Sequence, residues 1–185
     1  MLIIIILLVV VGLGYITLYN GLVKGRLHAQ EAWSQIDVQL KRRNDLIPNL
    51  VDTVKGYSDF EKTTLEEVVA LRNQLLQVPV GHGSEKLAVS DQLTGSLQSL
   101  FAVAEGYPDL KANQTYLKLM EELTNTENKI AYSRQLFNAT TASYNMKLQT
   151  FPSSIVANLH HFQPSNFLQV DEADKALPTV SLNDK

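Results

Sequence analysis

The chain has 185 residues, enough for one helical core once an apolar leader is set aside and too few to expect a second, catalytic domain. Its formal charge of −3, with basic residues scattered apart from Lys41-Arg42-Arg43, argues against a phosphate-tracking surface and so against nucleic acid as a partner. The absence of cysteine excludes disulfides, thiolate chemistry and Cys-ligated zinc, and fits either redox compartment.

From Met1 to Tyr19 the sequence reads MLIIIILLVVVGLGYITLY, without a charged side chain. A helix rising ~1.5 Å per residue carries such a run through ~28 Å, the thickness of a hydrocarbon core. Its Leu, Ile and Val side chains each favour insertion by ~0.3–0.6 kcal/mol, roughly 4–8 kcal/mol over the run. A cleaved signal peptide expects a basic n-region and a small-residue cleavage site; only Met1 precedes the run here, and Gly12-Leu13-Gly14 makes a poor cleavage box. Residues 1–19 are therefore read as a single-pass anchor in the cell membrane. Lys24 and Arg26 flank its C-terminal end and no basic side chain flanks the other, which puts the main domain in the cytoplasm by the positive-inside rule.

Residues 20–158 read as an all-α, antiparallel four-helix bundle with two long and two short helices. Apolar residues recur three or four apart along Ala29, Trp33, Ile36, Leu40, Ile47, Leu50, Val54 and Tyr57, a heptad-like seam. Pro48 interrupts it, lacking an N–H and crowding the Asn44 carbonyl, so a kink or a helix restart is expected there. The first helix should stop near Gly56, and Ser58-Asp59-Phe60-Glu61 has the spacing of a capping box for a second helix running to about Gln77. Breakers fill 78–83, and Ser84 is the expected cap of a third helix with the seam Leu93, Leu97, Leu100 and Ala104, ended by Gly106 and Pro108. The fourth helix is expected from near Asp109, with the seam Tyr116, Met120, Leu123, Glu127, Ile130, Arg134, Phe137, Thr141, Tyr144, Leu148 and Phe151, closed by Pro152. One or two amphipathic turns are expected over 153–159. The tail, 159–185, mixes polarity without a sustained period and reads as extended or disordered.

Short connections force antiparallel neighbours, and the 78–83 loop then lies level with the middle of the long helices. Their other halves lack cover, leaving Trp33, Phe137 and Tyr144 half wrapped. Such surface invites self-association, or packing by the C-terminal tail.

Three polar side chains stand in the fourth seam, Glu127, Arg134 and Thr141, and Arg43 holds the equivalent slot in the first. Antiparallel register makes an Arg43–Glu127 pair the natural expectation. Buried charges must be paired, and the layer is read as fixing register, with Arg43→Met expected to destabilise or scramble the bundle.

No catalytic constellation assembles. A di-metal carboxylate bundle needs Glu-x-x-His from two helices, whereas the chain has no Glu-x-x-His; His28-Ala29-Gln30-Glu31 has the reversed order, and His160-His161 sits near the tail. There is no Gly-x-Ser-x-Gly, His-Glu-x-x-His or phosphate loop, and Gly81-His82-Gly83-Ser84 reads as a turn and cap. No metal, cofactor or enzymatic activity is expected.

The stretches EAWSQIDVQLKRRNDLIPNLVDTVKGY (31–57), YPDLKANQ (107–114), LTNTENKIAYSRQLFN (123–138) and YNMKLQTFPSSIVA (144–157) together resemble the LemA family of bacterial membrane proteins over nearly the whole chain. The resemblance implies an anchor with an antiparallel helical bundle, no established catalysis, and members that act as scaffolds or accessory factors, some linked to membrane zinc proteases or organelle membranes. Where members commonly carry Ala-Arg this chain has Ser133-Arg134, and its tail has fewer aromatic residues. The function expected is a non-catalytic scaffold or adaptor that self-associates and binds membrane-protein partners, a zinc protease among them. The alternative is a four-helix ligand-sensing domain on the same anchor.

Overall fold

A computed structural model of the chain describes residues 1–57, 62–79 and 81–168. The apolar leader and the first seam are one unbroken helix, α1 (Leu2–Lys55), of 54 residues. Pro48 sits inside it without ending it, so no restart occurs. The Ser58–Glu61 capping box lies outside the described residues.

Helix α2 (Lys62–Gln77) leads through a tight turn to α3 (Gly83–Ala104). Ser84, expected as the cap, lies instead within the first turn, because the helix starts upstream. Gly81 takes φ 97°, His82 N–H donates to the Pro79 carbonyl at 3.2 Å, and the His82 carbonyl accepts from Lys86 N–H at 3.0 Å. That left-handed backbone is ordinary for glycine and strained for other residues.

The fourth helix does not run from Asp109. A single turn, α4 (Pro108–Lys111), ends at its C-cap Ala112, and Asn113 then caps α5 (Gln114–Gln149). Asn113 Oδ1 accepts from Thr115 N–H at 2.8 Å and Tyr116 N–H at 3.1 Å, satisfying two donors that a new helix leaves open. Its amide also donates to the Tyr57 hydroxyl at 3.0 Å, tying the far end of α1 to the start of α5. Helix α6 (Ser153–Leu159) follows the bend after α5.

The helices run up, down, up and down, as the short connections require. Contacts between α1 and α5 pair rising numbers with falling ones: Gly25 with Tyr144, Arg43 with Glu127, Tyr57 with Asn113. Helices α2 and α3 cover only the distal half of that pair. There the main core gathers Ile47, Leu50, Val54, Val68, Leu93, Leu100, Leu110 and Leu123, each worth ~1.5–3 kcal/mol on burial. A smaller cluster of Ile36, Leu40, Leu87 and Ile130 sits below it, and a third of Leu22, Val156 and Ala157 closes the proximal end.

The chain's own C-terminal part covers the proximal half. After α6 the backbone runs extended over 162–168 along α5, held by two side-chain clamps. Asn145 accepts from Ser165 N–H at 3.0 Å and donates to its carbonyl at 2.8 Å; Asn138 does the same for Leu168, at 2.9 and 3.1 Å. The spacing is set by geometry. Two helical turns advance ~10.5 Å, and three residues of extended chain advance about 10 Å, so both clamps meet the strap in register. Tyr144 donates to the Gln163 carbonyl at 3.0 Å and is only 1% exposed. Of the two outcomes expected for the half-wrapped Tyr144, packing by the C-terminal part is the one found, and the strap rather than a second molecule covers this residue. Residues 169–185 of the tail lie outside the described residues.

Candidate functional site

Arg43 is the largest polar side chain taken out of water among the described residues, 2% exposed, between the distal core at Ile47 and the middle cluster at Leu40. Its Nη1 lies 3.0 Å from Glu127 Oε2 and reaches the Ser90 hydroxyl at 3.3 Å; its Nη2 donates to Thr94 Oγ1 at 2.8 Å. Thr94 in turn lies 3.2 Å from the same carboxylate oxygen. Beside this group Arg134 pairs with Asp91. The layer therefore holds two guanidinium groups and two carboxylates and is charge-balanced, which keeps ions tolerable in a bundle interior. Burial pulls the Arg43 guanidinium below its ordinary pKa and the Arg134 charge adds to this, while Glu127 and Asp91 oppose them.

The four residues singled out in the sequence are not equivalent. Arg43 and Thr141 are buried, whereas the side chains of Glu127 and Arg134 are 38% and 27% exposed and form the wet edge of the layer. Thr141 is fully enclosed, its hydroxyl without a hydrogen-bond partner among the described residues. Phe151 leaves the α5 seam and is 81% exposed, because α5 has ended at Gln149. Trp33 and Phe137 pack edge to face with centroids 5.7 Å apart and remain half-buried. Gly83 lies flat on the Trp33 ring, where an added Cβ would meet Cη2 at 2.5 Å.

Sequence reasoning missed the third wall of the layer, Ser90, Asp91 and Thr94 on α3. The signal was there: Ser90 and Thr94 sit one turn apart immediately before the Leu97–Leu100 seam, on a face that must turn toward Arg43. It also missed Arg72. Pro48 leaves the Asn44 carbonyl without its helical donor, and Arg72 Nε of α2 donates to that oxygen at 3.3 Å. Arg72→Ala should cost about 1–3 kcal/mol by orphaning the carbonyl. In a Pro48→Ala background, where the new N–H takes that oxygen, the cost should fall toward zero. Urea unfolding of the four proteins measures this coupling, and an equal cost in both backgrounds would show that Arg72 acts elsewhere.

On the side that α2 and α3 leave open, α1 and α5 form a shallow groove. Glu31, Ser34, Gln35 and Val38 line one wall and Lys129, Tyr132 and Ser133 the other. Val38 and Tyr132 are 61% and 65% exposed. At the other end of α1, the side chains from Met1 to Leu13 project outward on every side, and the most apolar stretch of 18 residues has a mean hydropathy of 2.8 with none of it buried. Among the described residues no group of three or more His, Asp or Glu side chains converges as a metal site.

The chain matches the model of the LemA family over residues 32–182. It is 32% identical to Protein LemA of Metamycoplasma hominis over 165 residues, 85% of this chain and 74% of that protein. It is 26% identical to Magnetosome protein MamQ of Magnetospirillum gryphiswaldense over 169 residues, covering 78% of this chain and 62% of the relative. It is 23% identical to Magnetosome protein MamQ 2 of Paramagnetospirillum magneticum over 175 residues, covering 82% and 64%. The chain thus spans less than two thirds of the length of the two magnetosome proteins.

Proposed function

The chain belongs to the LemA family, and from that premise we propose that it is a non-catalytic, membrane-anchored scaffold or adaptor that self-associates and recruits membrane-protein partners. One observation carries the reading: α1 passes without a break from an apolar stretch exposed all round into the spine of the bundle. A hinged tether would let a domain wander. A continuous helix fixes the height and direction at which the bundle's faces are presented, with the far end of α1 about 54 Å above the end of the anchor at ~1.5 Å per residue.

The charged groups of the interior support a structural role, since Arg43, Glu127, Arg134 and Asp91 are committed to one another. The surface proposed for self-association is the open α1–α5 groove with Val38 and Tyr132. A membrane zinc protease is the partner class implied by family resemblance, and the domain is assigned to the cytoplasm on the charges of Lys24 and Arg26. Because the chain lacks cysteine, single substitutions report cleanly. Val38→Cys and Tyr132→Cys should cross-link into dimers in intact membranes, and Glu66→Cys, on the outer face of α2, should not. Equal capture at all three positions, or at none, would rule out this surface. A membrane-impermeant thiol reagent applied to the same cells tests orientation: Val38→Cys should react only after lysis.

A further inference from the structure

The lowest part of the bundle is the bend between α5 and the strap, and its apolar side chains divide into two sets. Val156 and Ala157 are 3% and 2% exposed and pack on Leu22 of α1. Ile155 and Leu159, one turn apart on α6, are 60% and 64% exposed, and Phe151, in the bend just before the helix, is 81% exposed. In water that second stripe is unfavourable surface on a short helix already held by its other face.

Its height is fixed by contacts with α1. The His160 ring lies 4.7 Å from that of Tyr19, and His160 Nε2 is 2.6 Å from the Tyr15 hydroxyl. Helix α6 therefore lies between the levels of Tyr15 and Leu22, an interval of ~10 Å that contains the end of the apolar run. Tyr15 and Tyr19 are themselves residues of the type that settles at a membrane–water boundary.

Charge agrees with position. No carboxylate side chain occurs between Met1 and Gln30, and none between Lys129 and Val170, whereas Lys24, Arg26 and Lys147 stand exposed at this end. Arg26 is held over the Phe162 ring at 5.4 Å. A surface of exposed Phe, Ile and Leu rimmed by cations and, among the described residues, free of anions matches the boundary of an anionic leaflet.

We infer that the bend from Phe151 to His160 is a second membrane contact: Phe151, Ile155 and Leu159 enter the headgroup–acyl boundary of the leaflet from which α1 emerges, and Lys24, Arg26 and Lys147 sit among its phosphates. The bundle is then seated on the bilayer at two points, which fixes its rotation about α1 as well as its height. This inference rests on α1 being the anchor. The test therefore includes a position inside the anchor.

Single cysteines at Ile155, Leu159, Leu8 and Gln135 in the full chain are spin-labelled and placed in nanodiscs of phosphatidylcholine and phosphatidylglycerol. Accessibility to oxygen relative to a water-soluble nickel chelate reports depth. The ratio at Ile155 and Leu159 should exceed that at Gln135 several-fold and fall below that at Leu8. Ratios at both positions equal to Gln135, with Leu8 deep in lipid, would overturn the second contact and leave the anchor standing. A water-exposed Leu8 would overturn both. The labelled positions are solvent-facing, so the fold should survive, and unchanged helical circular dichroism verifies it.

Discussion

Glu127→Leu should lower the stability of the bundle by about 2–3 kcal/mol, a loss of roughly 5–10 °C in melting temperature for a chain of this size. Removing the carboxylate strands the Arg43 guanidinium, 2% exposed, with the Arg134 charge acting against it. Breaking a buried pair commonly costs ~3–5 kcal/mol, and the figure is reduced here because Glu127 is 38% exposed and partly screened by water. Arg43→Met should cost less, about 1–2 kcal/mol. It leaves a carboxylate that can rehydrate at the edge of the layer, and a Thr94 hydroxyl that already reaches the Ser90 carbonyl at 3.1 Å. The asymmetry is the diagnostic quantity. Thermal melts of the two variants in detergent should rank Glu127→Leu below Arg43→Met; the reverse order would mean that the arginine's contacts, and not its stranded charge, dominate.

The paired substitution Asn138→Ala with Asn145→Ala should release the strap over residues 162–168. Each asparagine makes two hydrogen bonds to strap backbone, so four are lost at ~0.5–1.5 kcal/mol apiece, about 2–4 kcal/mol in total when partial rehydration is allowed for. The consequence is local. Tyr144 loses its cover and its bond to Gln163, the middle cluster around Ile36 and Ile130 loses Leu168, and the distal core around Leu50 and Leu100 is untouched. Hydrogen exchange should show the amides of Ser165 and Leu168 accelerating by orders of magnitude while those of α3 keep their protection. Unaltered exchange at those two amides would show that packing alone seats the strap.

The architecture was legible where side chains repeat. The spacing of apolar residues from Ala29 to Val54 and from Tyr116 to Tyr144 located the two long helices, and the uncharged run before Tyr19 marked the apolar stretch of α1 that is exposed all round. Antiparallel register then placed Arg43 opposite Glu127. What escaped was set by contacts between elements. Asn113 resembles any other polar residue in sequence, yet as a cap it splits the expected fourth helix into α4 and α5. Gly83 against Trp33 and the turn at Gly81 moved the start of α3 ahead of Ser84. Asn138 and Asn145 are two turns apart on one face, but nothing local shows that an extended segment will answer them. Arg72 finds its role only because α2 brings it to the carbonyl that Pro48 vacates.

In the scaffold proposed here, a single stiff helix joins lipid to bundle. Spin labels at Val10, within the apolar run, and Lys41, on the outer face of α1, are separated by about 47 Å along a continuous helix at ~1.5 Å per residue. Pulsed dipolar spectroscopy of the full chain in nanodiscs should return one narrow distance distribution centred there. A broad distribution, or one centred well below that length, would mean that α1 bends or melts between Tyr19 and Ala29, and the scaffold reading would lose its foundation.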